Sequence, residues 1–497
     1  MRKGIDSPGL GSLGSAALTA ASMLVVTLFS AVVGVVIARE FGRSDETDGF
    51  FASYGVFIVL VLAAQAIRLA VIPNLARARD ERRLASELAG LSAAIAVVAV
   101  PLVLVAELAA GPIGELLTGG GSEVARDTAA EALRWMLPAA VAHLFAGVAA
   151  SGLAAFDDYA TAAFGYAAGS TAALTLILTR VEADGIVAIA WAMALNGAVA
   201  LLVPAVALAW RAYTTSMPAG AMRLTGPPLA TRLGMFGGAA ALPIALQLLY
   251  VVCLPFAGRL GTGAVTSFGY AYLGSSALVT VTASSLGLVS SAPLTRTGIG
   301  PEQAARHVVS ASWMALVFVG GAAGVFALAG ADLVEALLGG AYGGDVGAEV
   351  GELVVTLSPW MVASVGVTVA FPLAFVARRS RALPWIGIAV LALEVPLAWA
   401  AWSALDLTGL ALALAAATFA VFAALLRQLG AVGVTARGLA VAAVTLGGIA
   451  LVAFLLPAVV LGPIAAALVG LAIYVGVVVA WRPRQLRASW SYLRSLE

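Results

Sequence analysis

Stretches of about twenty apolar residues recur along this chain, each long enough to cross the roughly 30 Å hydrocarbon core of a bilayer as a helix. Charged residues cluster between the stretches. Inside lipid a segment must satisfy its own backbone polar groups, so a chain of this pattern is committed to a bundle of membrane helices. Composition agrees, with 62% hydrophobic and only 11% charged residues, against about 25% charged in a soluble domain. That excludes a soluble enzyme, a disordered chain and a nucleic-acid-binding protein. Lys plus Arg is 27 against 26 Asp plus Glu, so no net field draws polyanions. The single Cys253 cannot form an internal disulfide, and with only His143 and His307 no structural zinc, iron–sulfur or haem ligand set is present.

Cutting the sequence at charged, proline-rich and glycine-rich breaks gives fourteen spans. They are 14–38, 49–72, 86–110, 133–156, 159–179, 186–210, 235–258, 264–292, 308–331, 354–377, 383–402, 407–426, 438–456 and 459–481. The first is too long for a signal-peptide core and lacks a small-residue cleavage pattern, so it reads as a retained helix. With a cytoplasmic N-terminus, twenty Arg/Lys fall in inside loops and tails and six in outside loops, leaving Arg68 within a span. This is the positive-inside bias, and it places both termini in the cytoplasm. The mixed segment 113–133 reads as a short interfacial helix.

The expected fold is an all-α polytopic membrane protein of two pseudo-symmetric six-helix bundles plus two C-terminal helices. The N-terminal bundle is 1–210, a proline-containing linker is 211–234, the C-terminal bundle is 235–426, and the last pair with its tail is 427–497. The halves echo one another. Phe41-Gly42-Arg43 through Phe50 and Tyr54 to Pro73 resembles Phe256-Ala257-Gly258-Arg259 through Phe268 and Tyr270 to Pro293. Pro138 and Asp157 have the separation of Pro359 and Arg378. Gly165 and Gly169, and Gly320 and Gly324, have the spacing that lets helix backbones approach. Repeated bundles that handle substrate at their interface are a transporter architecture.

Ala38-Arg39-Glu40-Phe41-Gly42, Thr47-Asp48-Gly49-Phe50-Phe51-Ala52 and Ile72-Pro73 resemble motifs of the MurJ (MviN) lipid II flippases, in the multidrug/oligosaccharidyl-lipid/polysaccharide (MOP) exporter superfamily. Gly185–Ala192, Gly261–Tyr270 and the Phe375–Arg379 turn extend the resemblance over nearly the whole length. It implies a transporter, not an enzyme, in the bacterial cytoplasmic membrane, with the last two helices receiving a lipid tail. That family lines its cavity with arginines on helices one, two and eight. Here 27–37 has none, Leu273 stands where the eighth-helix arginine would, and helix two lacks a basic pair near Val59 and Leu60. The matching Asp48 and Thr266 are kept.

Ionisable groups at membrane depth are costly and so are functional candidates. Arg68 and Gln65 share one face of helix two and could hold an anionic head group; Arg68 could instead snorkel. With Asp48, Arg39, Thr266 and Asn196 they form the candidate substrate cavity. Glu394, close to mid-span, is the candidate coupling residue with Gln247 as partner, the ion being Na⁺ or H⁺; no other cofactor is expected. Asn196 and Gln247 could equally bridge helices, and His143 reads as a structural hydrogen-bonder. No nucleotide-binding or hydrolase motif occurs. The expected partners are a polyprenyl-pyrophosphate-linked saccharide, the bilayer and cell-wall enzymes, with no nucleic acid. The competing readings are a cation-coupled small-molecule exporter and a non-transporting scaffold for cell-wall enzymes.

Overall fold

In the computed structural model, which describes residues 28–214, 227–280, 300–377, 380–481 and 483–494, every described regular element is helical. The helices are α1 (28–41), α2 (Asp45–Asp80), α3 (Leu84–Leu117), α4 (Glu123–Ala154), α5 (Tyr159–Asp184), α6 (Val187–Thr214) and α7 (Leu229–Gly258). There follow α8 (Ala264–Val279), α9 (Pro301–Leu338), α10 (Asp345–Thr356), α11 (Ser358–Val376), α12 (Leu383–Leu429), α13 (Val432–Ala458), α14 (Pro463–Trp481) and α15 (Arg484–Arg494). Ten described helices are long and apolar enough to span a membrane, or eleven if α10 and α11, bent by 42°, count as one. Large apolar side chains face outward, such as Leu108 (87% exposed) and Val460 (83%). That surface would be an aggregation liability in water and is the expected one against lipid. The chain is an integral, all-α polytopic membrane protein.

The expected count of fourteen is not reached within the described residues alone. The first span (14–38), the eighth (264–292) and the linker (211–234) are described only in part. So are the inside loops, since Arg2, Lys3, Arg223, Arg296, Arg378, Arg379 and Arg482 lie outside the described residues. The 47-residue α12 holds two expected spans. As one straight rod it would be about 70 Å long. Instead the chain reverses at Leu405 (φ −142°) and Asp406 (φ 50°). The two arms then pack so closely that a Cβ on Gly409 would overlap the Ala401 carbonyl oxygen.

The expectation of a separate interfacial helix over 113–133 is corrected. α3 bends at Ala109 (φ −120°, ψ 19°) and runs on to Leu117, while α4 begins at Glu123. Pro112 supplies a cause, since its ring displaces the carbonyl of Leu108 and removes a helix hydrogen bond. α9 bends in the same way at Ala329 (φ −121°, ψ 18°). The two bends lie 220 residues apart, nearly the offset between Pro138 and Pro359.

The chain divides into two compact units. The first comprises Met1–Ile37, Ser53–Gly114 and Arg126–Ile244; the second comprises Ala38–Ala52, Glu115–Ala125 and Ala245–Glu497. The core of the first unit joins Val71, Leu75, Leu91, Ile95, Val148 and Phe236. In the second unit Trp313, Leu316, Leu446, Phe454 and Tyr474 interlock. Small residues do what their spacing predicts. Gly165 and Gly169 admit Pro204 and the Asn196 carbonyl of α6, and a Cβ on Gly324 would fall on the Phe454 ring.

Candidate functional site

The start of α2 is built by its own sequence. Ser44 and Thr47 cap each other reciprocally, the Ser44 N–H donating to Thr47 Oγ1 (2.9 Å) and the Thr47 N–H to Ser44 Oγ (3.3 Å). Asp45, Glu46 and Asp48 occupy the first turn, where the helix dipole favours negative charge. α8 begins differently. Its preceding residue, Gly263, has φ 86° and provides no side-chain cap, so the free amides at this helix start need an acceptor from elsewhere.

Asp48 supplies it. Its Oδ2 accepts from the Gly263 N–H (2.5 Å), and its Oδ1 accepts from the Thr266 N–H (2.8 Å) and the Thr266 hydroxyl (2.6 Å). Asp48 is 5% exposed and Thr266 is wholly buried. Thr262 donates to Asp45 (2.7 Å) and Thr266 lies 3.0 Å from the Thr47 hydroxyl. A carboxylate that accepts three hydrogen bonds at a helix N-terminus is a strong, geometry-specific clasp. Around it Arg43 pairs with Glu349 (3.1 Å) and Tyr342 donates to the Gly42 carbonyl (3.0 Å). A Cβ at Gly263 would overlap the Arg43 side chain, so this position has no room for anything but glycine. A cavity of about 110 Å³ adjoins the clasp, lined by Asp45, Asp48, Thr118, Gly258, Thr262 and Val265. Arg39 is exposed, with its stem against Gly339.

Arg68 lies further along α2, within the first unit. It is half-buried, and Gln65 one turn back is exposed. The Arg68 charge acts on the Tyr166 phenol. The Tyr166 ring lies parallel to His143, 6.2 Å between centroids, and His143 meets Phe57 edge-on at 6.1 Å. Phe57, Gln65 and Arg68 recur at helical spacing, so one face of α2 carries this aromatic and cationic row. Asn196 donates to Ser170 (3.4 Å) and ties α6 to α5.

Glu394 is wholly buried, mid-way along the first arm of α12. The Cys253 thiol donates to its Oε1 (3.3 Å), while Oε2 has no partner among the described residues. Gln247 instead accepts from the Tyr272 hydroxyl (3.0 Å), and its Nε2 is without a partner among the described residues. Tyr272 stacks on Tyr250 at 4.0 Å. Sequence reading missed Cys253, which lies 141 residues from Glu394 and has no local signal. No group of three or more His, Cys, Asp or Glu that could hold a metal occurs among the described residues.

No protein-family model and no curated protein matches the sequence. Solved structures do match in fold. The structure described as "Lipid II flippase MurJ, inward closed conformation" superposes with a TM-score of 0.72 at 13% identity, over 94% of this chain and 99% of that one. An inward-facing MATE-family multidrug resistance transporter of the MOP superfamily gives 0.61 at 15% identity, over 84% and 95%. A MOP-superfamily transporter from Pyrococcus furiosus gives 0.55 at 17% identity, over 86% and 94%. The chain has a MurJ-like fold.

Proposed function

We propose that this protein is a flippase that carries a polyprenyl-pyrophosphate-linked saccharide across the bacterial cytoplasmic membrane by alternating access, with both termini cytoplasmic. The observation that carries the reading is the Asp48 clasp on α8. It is polar and made between helices far apart in sequence, which suits a closure that opens and re-forms. The fold supports transport, since solved structures that share it are described as transporters or flippases. Arg68 and Gln65 supply the substrate side: an arginine at membrane depth with a planar donor fork suits a pyrophosphate. The aromatic row of Phe57, His143 and Tyr166 offers flat faces beside it.

Glu394 supplies coupling. An ionised, unpaired carboxylate at this depth costs several kcal/mol, so its charge is matched by a proton or a cation. A thiol is a poor neighbour for a hard cation such as Na⁺, and the Gln247 carbonyl already holds Tyr272. The donor set suits a proton. Cell-wall enzymes would then act on the saccharide delivered.

A small-molecule exporter is the competing reading, favoured by the MATE superpositions. The deciding experiment reconstitutes the protein in liposomes with a fluorescent polyprenyl-pyrophosphate disaccharide in the inner leaflet. A probe outside the vesicle then reports its arrival, and a cationic dye serves as the competing cargo. The flippase reading expects lipid-linked transfer that falls at least tenfold in Arg68→Ala and less in Arg68→Lys. Dye efflux without lipid transfer would overturn it in favour of the exporter.

A further inference from the structure

The short helix α15 has no part in the clasp, the Arg68 row or the Glu394 pair. It begins three residues after the spanning helix α14 ends at Trp481, so it is tethered at the bilayer boundary. Its two faces differ sharply. On one, Leu486 packs into the core with Trp313 and Tyr474, Ser489 is buried, and the Tyr492 ring meets His307 of α9 at 6.0 Å. On the other, Arg484, Arg487, Ala488, Trp490 and Ser491 are exposed, Trp490 by 49%. The helix carries three arginines and no acid. α9 adds the exposed Arg306, whose charge reaches Tyr492.

We propose that the exposed face of α15 is a docking surface for anionic phospholipid headgroups. The inference is independent of what the protein transports. Packing fixes the inner face and so keeps Arg484 and Arg487, about one turn apart, on the exposed one. Guanidinium groups pair with phosphate through two parallel hydrogen bonds. Trp490 has the amphipathic ring that settles at headgroup level. Zwitterionic lipid would meet the same tryptophan but not the same charge complementarity. Each basic residue at an anionic surface is worth roughly 1 kcal/mol, so two arginines amount to about a 25-fold preference, at 1.4 kcal/mol per tenfold.

The test uses the full-length, detergent-purified protein with Cys253→Ser and an environment-sensitive fluorophore on Ser491→Cys. Short-chain phosphatidylglycerol or phosphatidylcholine is titrated in. The expected result is a saturable response to phosphatidylglycerol that R484Q/R487Q weakens about 25-fold, to the phosphatidylcholine level. R427Q, which removes an exposed charge from α12, should leave the response unchanged. Equal responses to the two lipids would overturn the proposal and leave the basic face to a protein partner. So would an undiminished response in R484Q/R487Q, or an equal loss in R427Q, which would reduce the effect to net charge.

Discussion

Arg232, near the start of α7, reaches Glu87 at the start of α3, its Nη2 2.7 Å from the carboxylate, with both residues more than nine-tenths buried. Each guanidinium nitrogen makes a hydrogen bond, Nη1 to the Glu87 carbonyl (3.3 Å) and Nε to the Pro227 carbonyl (3.2 Å) as well. A buried pair gains little over apolar residues of the same shape, but breaking it strands a charge. Glu87→Leu should therefore cost about 3–5 kcal/mol, and Glu87→Leu with Arg232→Met much less than the two single changes summed. Thermal unfolding of the four proteins in one detergent checks this, and simple additivity would mean the groups act independently.

Phe454 of α13 is held between Gly324 of α9 and Gly470 of α14, where a Cβ on either glycine would strike its ring. Alanine in place of an ordinary helix glycine gains up to about 1 kcal/mol. At Gly324 the sign should reverse, to a loss of about 1–3 kcal/mol from overpacking. Gly447→Ala, on α13 with open space around it, should be neutral or stabilising. Unfolding midpoints that rank the two variants the other way would contradict this packing.

Asp158 caps α5, accepting from the Thr161 N–H (3.1 Å) and hydroxyl (3.0 Å), and binds Arg211 of α6 through Nε (3.0 Å) and Nη2 (2.6 Å). Partial burial pushes its carboxyl up, but the Thr161 and Arg211 bonds outweigh this and hold it below the usual value. A depressed carboxylate stabilises the fold above its unfolded value, about 3.9, and the gain fades as pH falls through the lower folded value. The stability gap between the parent protein and Asp158→Asn should thus be full above about pH 5 and shrink on acidification toward pH 3. A gap independent of pH would show that the carboxylate's charge adds nothing.

Glu394→Gln keeps volume and hydrogen-bonding capacity beside Cys253 but fixes a neutral side chain. Transport should persist in the variant and lose its dependence on an imposed proton gradient. The measurement compares lipid transfer in proteoliposomes with and without the gradient. An unchanged dependence would reduce Glu394 to a structural residue.

Helices were legible in the sequence because hydrophobic length alone specifies a span, and Gly165, Gly169, Gly320 and Gly324 announced close packing by their spacing. Bends were less so. Pro112 marks one at Ala109, but the matching bend at Ala329 has no proline within its turn. The reversal inside α12 was legible, since Leu405 and Asp406 fall in the break between the expected spans 383–402 and 407–426. Asp48 and Thr266 were visible as polar residues at helix starts, yet their partnership depends on Gly263 leaving α8 uncapped, a backbone property. Arg232 read as one more loop cation, because burial of its head by Glu87 joins residues 145 apart.

The Asp48 clasp can be tested by access to the cavity beside it. Val265 lines that cavity and is wholly buried, so a Val265→Cys thiol in a Cys253→Ser background should label slowly with an impermeant reagent. Hydrogen bonds to a charged group contribute about 1.5–3 kcal/mol each. Losing them in Asp48→Ala should speed labelling at least about tenfold, with lipid transfer slowed at least as much and membrane insertion unchanged. Equal labelling and equal transfer with and without the Asp48 carboxylate would contradict a gate at this position.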